Sequence, residues 1–145
     1  MSTTILRDGL FFGEGPRWHE GRLWYSDFYD HAVHAIDLDG NDERIVEVES
    51  QPSGLGWLPN GDLLVTSMLD RKLMRWDGSE LTTHSDLGGH FTWHANDLLV
   101  DHQGRAYIGN FGFDYEVFLD EQGIEGLFAD PDSLTTVMCR VDADG

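Results

Sequence analysis

Three turn glycines, Gly21, Gly61 and Gly104, recur at a spacing of about 40 residues, each ahead of a short aromatic or β-branched run. A period near 40 suits either a helical solenoid or a β-propeller blade. The segments between the glycines decide for the second. Arg22-Leu23-Trp24-Tyr25-Ser26-Asp27 is aromatic and strand-like, and Ala32 to Leu38 alternates apolar with polar. Asp39-Gly40 and Asp77-Gly78 are hairpin turn signals between further short strands at Arg44 to Val48, Lys72 to Trp76 and Leu81 to His84. The third unit runs through Leu98 to Asp101, Arg105 to Asn110 and Val137 to Val141. About four short strands per repeat define a blade.

The expected fold is therefore all-β: a six-bladed β-propeller to which this chain supplies about three blades. Their expected bounds are 13–50, 52–88 and 95–145. Residues 1–12, with a strand from Ile5 to Leu10, are expected to form an outer strand closing another blade. The strand order then reads d-abcd-abcd-abc, twelve strands in all, counting from the axis outward. Three such blades alone leave open faces and unpaired edges. The expected partner is a complementary half-propeller, either a chain carrying a C-terminal half or a second copy of this one. Residues 112–136 are extra to the third unit. They read as a surface loop packing its own aromatics or as a lid over one channel mouth. Asp120-Glu121-Gln122-Gly123 and Asp130-Pro131-Asp132-Ser133 are expected turns within it.

The repeat aligns three polar residues. Anchoring the units on Trp18, Trp57 and Val100 places Glu14, Ser53 and Asn96 at one equivalent position. Equivalent positions of a ring converge on its axis. A carboxylate and a carboxamide there suit a hard divalent cation. Glu14 lies in Gly13-Glu14-Gly15-Pro16, where the glycines permit close backbone approach and the proline fixes the exit. Ser53 is small enough to leave room for a ligand.

The formal charge of −18 excludes nucleic acid and anionic membrane as partners, since both require a basic face. Cys139 is the single cysteine, so no intrachain disulfide is expected, in keeping with a cytoplasmic location. No charged-then-apolar leader and no apolar run of about 18 residues is expected to direct the chain into a membrane. The His and Cys residues lack zinc-ligand spacing. Asp27, Asp37 and Asp77 read as solvated or turn-bonding, and Asp97 as tied to adjacent backbone.

The motifs Gly13-Glu14-Gly15-Pro16-Arg17-Trp18, Leu23-Trp24-Tyr25-Ser26-Asp27, Asn96-Asp97 with Asp101 and Gly104-Arg105, and Gly109-Asn110-Phe111-Gly112-Phe113-Asp114 together resemble the regucalcin/gluconolactonase family, the lactonohydrolases. The resemblance covers the chain but about the first half of the family domain. It implies one divalent cation in the central channel: calcium first, with magnesium, manganese or zinc as alternatives. It also implies hydrolysis of a sugar lactone or related cyclic ester. Under it, Glu14 is a metal ligand and Asn96 a ligand or substrate contact. His94 stands where relatives often carry a substrate-contacting arginine, and Asp114 lies near a substrate-contacting acid. Asn110 and Phe111 end an inner strand where a pocket wall lies. The catalytic general base is expected beyond Gly145. The competing functions are a non-catalytic calcium- or sugar-binding propeller module and a strictosidine-synthase-like enzyme.

Overall fold

The computed structural model describes residues 2–129 and 134–145. Among these, eleven strands form three antiparallel sheets. The first sheet holds β1 (Gly13–His19), β2 (Arg22–Asp27), β3 (Ala32–Ile36) and β4 (Asp42–Glu47) in sequence order. The second holds β5 (Pro52–Trp57), β6 (Leu63–Ser67), β7 (Lys72–Trp76) and β8 (Leu81–Asp86), again in order. The third pairs β9 (Ala95–Val100) with β10 (Ala106–Asn110), and β10 with β11 (Cys139–Val141). Each sheet is a meander, which is the connectivity of a propeller blade.

Two apolar cores join the three blades. Trp24, Val33 and Ala35 of the first sheet meet Leu55, Leu63 and Val65 of the second. Leu64 and Leu73 of the second meet Leu98, Ala106, Ile108 and Val141 of the third. The alternation along β6 serves both cores: Leu63 and Val65 face one neighbour and Leu64 the other, so all five residues of β6 are buried. The middle blade is thus packed on both faces against other blades of this chain. The outer strands β4 and β8 carry charged and hydroxyl side chains and stay largely exposed.

Aspartates fasten the turns between strands. Asp37 Oδ1 accepts from the amides of Asp39 and Asn41 at 2.9 Å each, and Asp77 Oδ1 from those of Ser79 and Glu80 at 2.9 Å each. Asp101 does most. It accepts from the amides of Gln103 and Arg105, and its second oxygen takes the Arg105 guanidinium at 2.7 Å and the Tyr107 hydroxyl at 3.2 Å. Desolvation pushes the Asp101 carboxyl up, but these donors outweigh it and hold the pKa at about 2. A depressed native value means that the stabilisation is full above the unfolded value of 3.8 and is lost as pH falls through about 2. The Asp101→Asn variant should therefore melt below the wild type at neutral pH, and thermal denaturation from pH 5 downward should show the gap closing. A gap independent of pH would exclude this role.

Two segments depart from the sequence reading. The strand expected over Ile5 to Leu10 does not form; residues 2–12 are irregular and fold against the first sheet. The arm is held instead by side chains: the Phe11 and Phe12 amides donate to Asp27 at 2.9 and 2.8 Å, and Arg7 pairs with Asp42 at 3.3 Å. Asp27 is thus no solvated residue but 2% exposed. The second departure is α1 (Tyr115–Ala129), which replaces the turn expected at Asp120-Glu121-Gln122-Gly123. Asp114 Oδ1 caps it by accepting from the Val117 amide at 3.0 Å, and Glu116 sits in its first turn. Gly123, at φ 65° and ψ 176°, breaks the helix in the middle. The turn expected at Asp130-Pro131-Asp132-Ser133 lies outside the described residues. No helix among the described residues is long and apolar enough to cross a membrane.

Candidate functional site

Glycines bring the three inner strands into contact. A side-chain carbon on Gly15 would lie 2.9 Å from the Ser53 carbonyl oxygen, and one on Gly54 would overlap the backbone nitrogen of Leu98. With no Cβ at these positions, β5 sits directly between β1 and β9. Gly15 also adopts φ +61°, within a bulge that shifts the β1–β2 register between Glu14 and Arg17.

The three polar residues aligned by the repeat meet. Ser53 Oγ lies 2.7 Å from Asn96 Oδ1. Ser53 is fully buried, its carbonyl oxygen accepting the Ser26 hydroxyl at 2.6 Å. Glu14 is half-buried beside Ser53, and its Oε1 is buried without a hydrogen-bond partner. A serine hydroxyl has one proton. Here it faces both the Asn96 amide oxygen and the Glu14 carboxylate, so acceptors outnumber donors. Burial raises the Glu14 pKa; the Ser53 hydroxyl opposes the rise, and the nearby Asp97 carboxylate adds to it. An unpartnered buried carboxylate oxygen, an amide oxygen and a second carboxylate nearby form an oxygen-rich, donor-poor pocket. That donor set fits a hard divalent cation, with Glu14 and Asn96 as the residues that would hold it. No three His, Cys, Asp or Glu side chains form a complete cage among the described residues.

The insertion joins this end of β9. His94 immediately precedes β9, and its carbonyl accepts the Phe111 amide at 3.0 Å. The Thr92 hydroxyl donates to the Gly112 carbonyl at 2.6 Å. The insertion is thereby pinned beside the strand that carries Asn96. The His94 ring stacks on Trp93 at 4.7 Å. Desolvation lowers its pKa and Arg71 lowers it further, against the opposing pull of Asp114 and Glu116. The imidazole is accordingly neutral near pH 7, offering one donor and one acceptor. Phe111 is 40% exposed just past the end of β10. The Asn110 amide is taken up by the insertion: Oδ1 accepts from the Gly112 amide and the Thr136 hydroxyl, and Nδ2 donates to the Val137 carbonyl at 2.9 Å. Asp114 spends one oxygen capping α1.

Two features escaped the sequence reading. Arg17 reaches across β5 and donates to the Leu98 carbonyl of β9 at 2.7 Å. Asp97, read as backbone-tied, is exposed and acts on Glu14 through its charge. No local pattern signals either one, because both depend on neighbouring blades. The arm and the first sheet also flank an open pocket of about 240 Å³, lined by Leu6, Leu10, Pro16, Tyr25 and Ile36 and bordered by Glu14.

Comparison with known proteins agrees with this fold. Across 97% of its length the chain matches 47% of a Xanthomonas campestris gluconolactonase, described as important in glucose secondary metabolic pathways, at TM-score 0.69 and 21% identity. A Bacteroides caccae protein of unknown function matches over 90% of this chain and 45% of its own, at TM-score 0.62 and 17% identity. A luciferin-regenerating enzyme matches over 68% of this chain and 36% of its own, at TM-score 0.55 and 18% identity. The chain spans less than half the length of each, and these likenesses carry the fold. No curated protein sequence matches the chain. Residues 12–142, which include every inner strand and all three of Glu14, Ser53 and Asn96, match one family throughout: the chain belongs to the SMP-30/gluconolactonase/LRE-like family.

Proposed function

We propose that the propeller containing this chain is a divalent-cation-dependent hydrolase that opens a sugar lactone or related cyclic ester. The observation that supports the reading most directly is the buried, unpartnered Glu14 Oε1 beside Ser53 and Asn96. A carboxylate oxygen desolvated without a donor is costly unless a cation completes it. In this proposal Glu14 and Asn96 hold the cation, calcium being the first candidate for an all-oxygen donor set. The cation, when bound, supplies Lewis-acid polarisation of the lactone carbonyl.

The remaining residues of this chain orient substrate and exclude water. Ser53 fixes the Asn96 amide. His94, neutral and stacked on Trp93, offers a ring hydroxyl both a donor and an acceptor. Phe111 presents an apolar surface at the mouth, and Asp114 keeps an oxygen for a substrate hydroxyl. Asn110 acts at one remove, by holding the ends of the insertion together. The general base and further cation ligands come from blades outside this chain, contributed by a complementary half-propeller.

The test is hydrolysis of gluconolactone by the full-length protein, followed by pH-stat. Turnover should be abolished by a chelator and restored by calcium, magnesium, manganese or zinc. Cation binding without turnover of any lactone would favour a binding module. Turnover indifferent to chelation would remove the cation from the proposal.

A further inference from the structure

Arg17 is the one side chain of the first blade that hydrogen-bonds to the third in the described structure. Its Nη2 donates to the Leu98 carbonyl at 2.7 Å, and its Nη1 to the Pro16 carbonyl at 2.9 Å. Gly54 and Gly56 let β9 lie close against β5, which brings the Leu98 carbonyl within reach of β1; a side-chain carbon on Gly56 would overlap the Val100 side chain. Leu98 lies two residues past Asn96, and Arg17 three residues past Glu14. The planar guanidinium fork therefore ties together the two strands that carry the candidate cation ligands.

We propose that Arg17 is a positioning residue, an inter-blade strut that sets the separation of Glu14 and Asn96. This rests on the cation-site reading above. The geometry of the strut is selective. Nothing else in the described structure bonds β1 to β9 directly; the contact between Ser53 and Asn96 joins only β5 to β9. Pairing between β1 and β2 is already interrupted between Glu14 and Arg17, so that part of β1 lacks a continuous ladder to hold it. The guanidinium replaces the missing restraint. Its two bonds are charge-assisted and oriented, whereas a purely apolar contact would leave the strands free to slide.

The experiment compares wild type with Arg17→Met in the full-length protein. Calcium affinity is measured by calorimetry and lactone opening by steady-state kinetics. A strut predicts calcium affinity weakened by about 10-fold, the low end of the usual cost of losing a group that orients a metal ligand. It also predicts a higher KM with kcat changed less. Unchanged affinity and KM with only a lower Tm would overturn the proposal, as would tighter calcium binding, which marks simple charge repulsion. Should Arg17→Met fail to fold, Arg17→Lys carries the same readouts, with a smaller loss of the same sign. A further readout needs no cation: the Asn96 side-chain amide resonance of the metal-free protein should shift in the variant. If the wild type binds no calcium and opens no lactone, the functional reading fails, and this resonance alone decides the strut. An unmoved Asn96 signal would then overturn it.

Discussion

Replacing Glu14 with glutamine should weaken divalent-cation binding by at least about 100-fold, the upper end of what the loss of a merely supporting group costs, and the proposed lactone opening should fall with it. The same substitution should raise the melting temperature of the metal-free protein. Both effects have one cause. Glu14 Oε1 is buried without a donor, and the adjacent Ser53 proton is contested by Asn96. Burial and the Asp97 charge already push the Glu14 carboxyl toward its protonated form. In the metal-free fold the charge is thus a liability above the unfolded carboxylate range, and the neutral amide relieves it. Glutamine also brings an N–H donor to an acceptor-rich pocket. Calorimetry with calcium and thermal denaturation in a chelator read the two effects separately. Unchanged calcium affinity would remove Glu14 from the ligand set. A melting temperature that fell in the chelator would show that the carboxylate is satisfied by something other than a cation.

The repeat itself was legible because turn glycines and alternating strands are local signals. Gly21, Gly61 and Gly104 punctuate the blades, and the residues around them form the meanders the pattern implies. The alignment that put Glu14, Ser53 and Asn96 at one position needed only that periodicity, and the structure brings the three together. What the sequence concealed is non-local. Asp27 looks like a strand-end carboxylate until the arm folds back and its Phe11 and Phe12 amides need an acceptor. The Arg17 contact spans three strands of three different sheets, so no spacing rule finds it. The helix over Tyr115–Ala129 was obscured by a competing local signal, since Asp-Glu-Gln-Gly reads as a turn. The Asp114 cap and the run after it prevailed, and Gly123 shows the conflict as a break in the helix rather than its end. The exposed Ile124 and Phe128 of that helix, at 65% and 79%, explain why no amphipathic stripe announced it.

Gly54→Ala should be the most damaging single methyl in this chain. Gly54 is not in the left-handed region, so the substitution meets no backbone strain of its own. The obstacle is steric. The added carbon would overlap the backbone nitrogen of Leu98 and lie 2.8 Å from the Asp97 carbonyl carbon. Backbone in an ordered strand yields less readily than the end of a side chain, so β5 and β9 must separate. Overpacking typically costs about 1–3 kcal/mol, and a clash with backbone should reach about 3 kcal/mol or more. The separation falls at Leu98, beside the carbonyl that Arg17 holds and two residues from Asn96. Stability and calcium affinity should therefore drop together. Gly109→Ala is the control: no atom lies within 4 Å of its added carbon, and β10 keeps its pairing. That variant should stay within about 0.5–1 kcal/mol of wild type, on the stable side if anything, because alanine is less flexible than glycine when unfolded. Denaturant titrations of the two variants, paired with calcium calorimetry, make the comparison. Equal stability of Gly54→Ala and Gly109→Ala would mean that the inner strands are not in the contact that brings Glu14, Ser53 and Asn96 to one place.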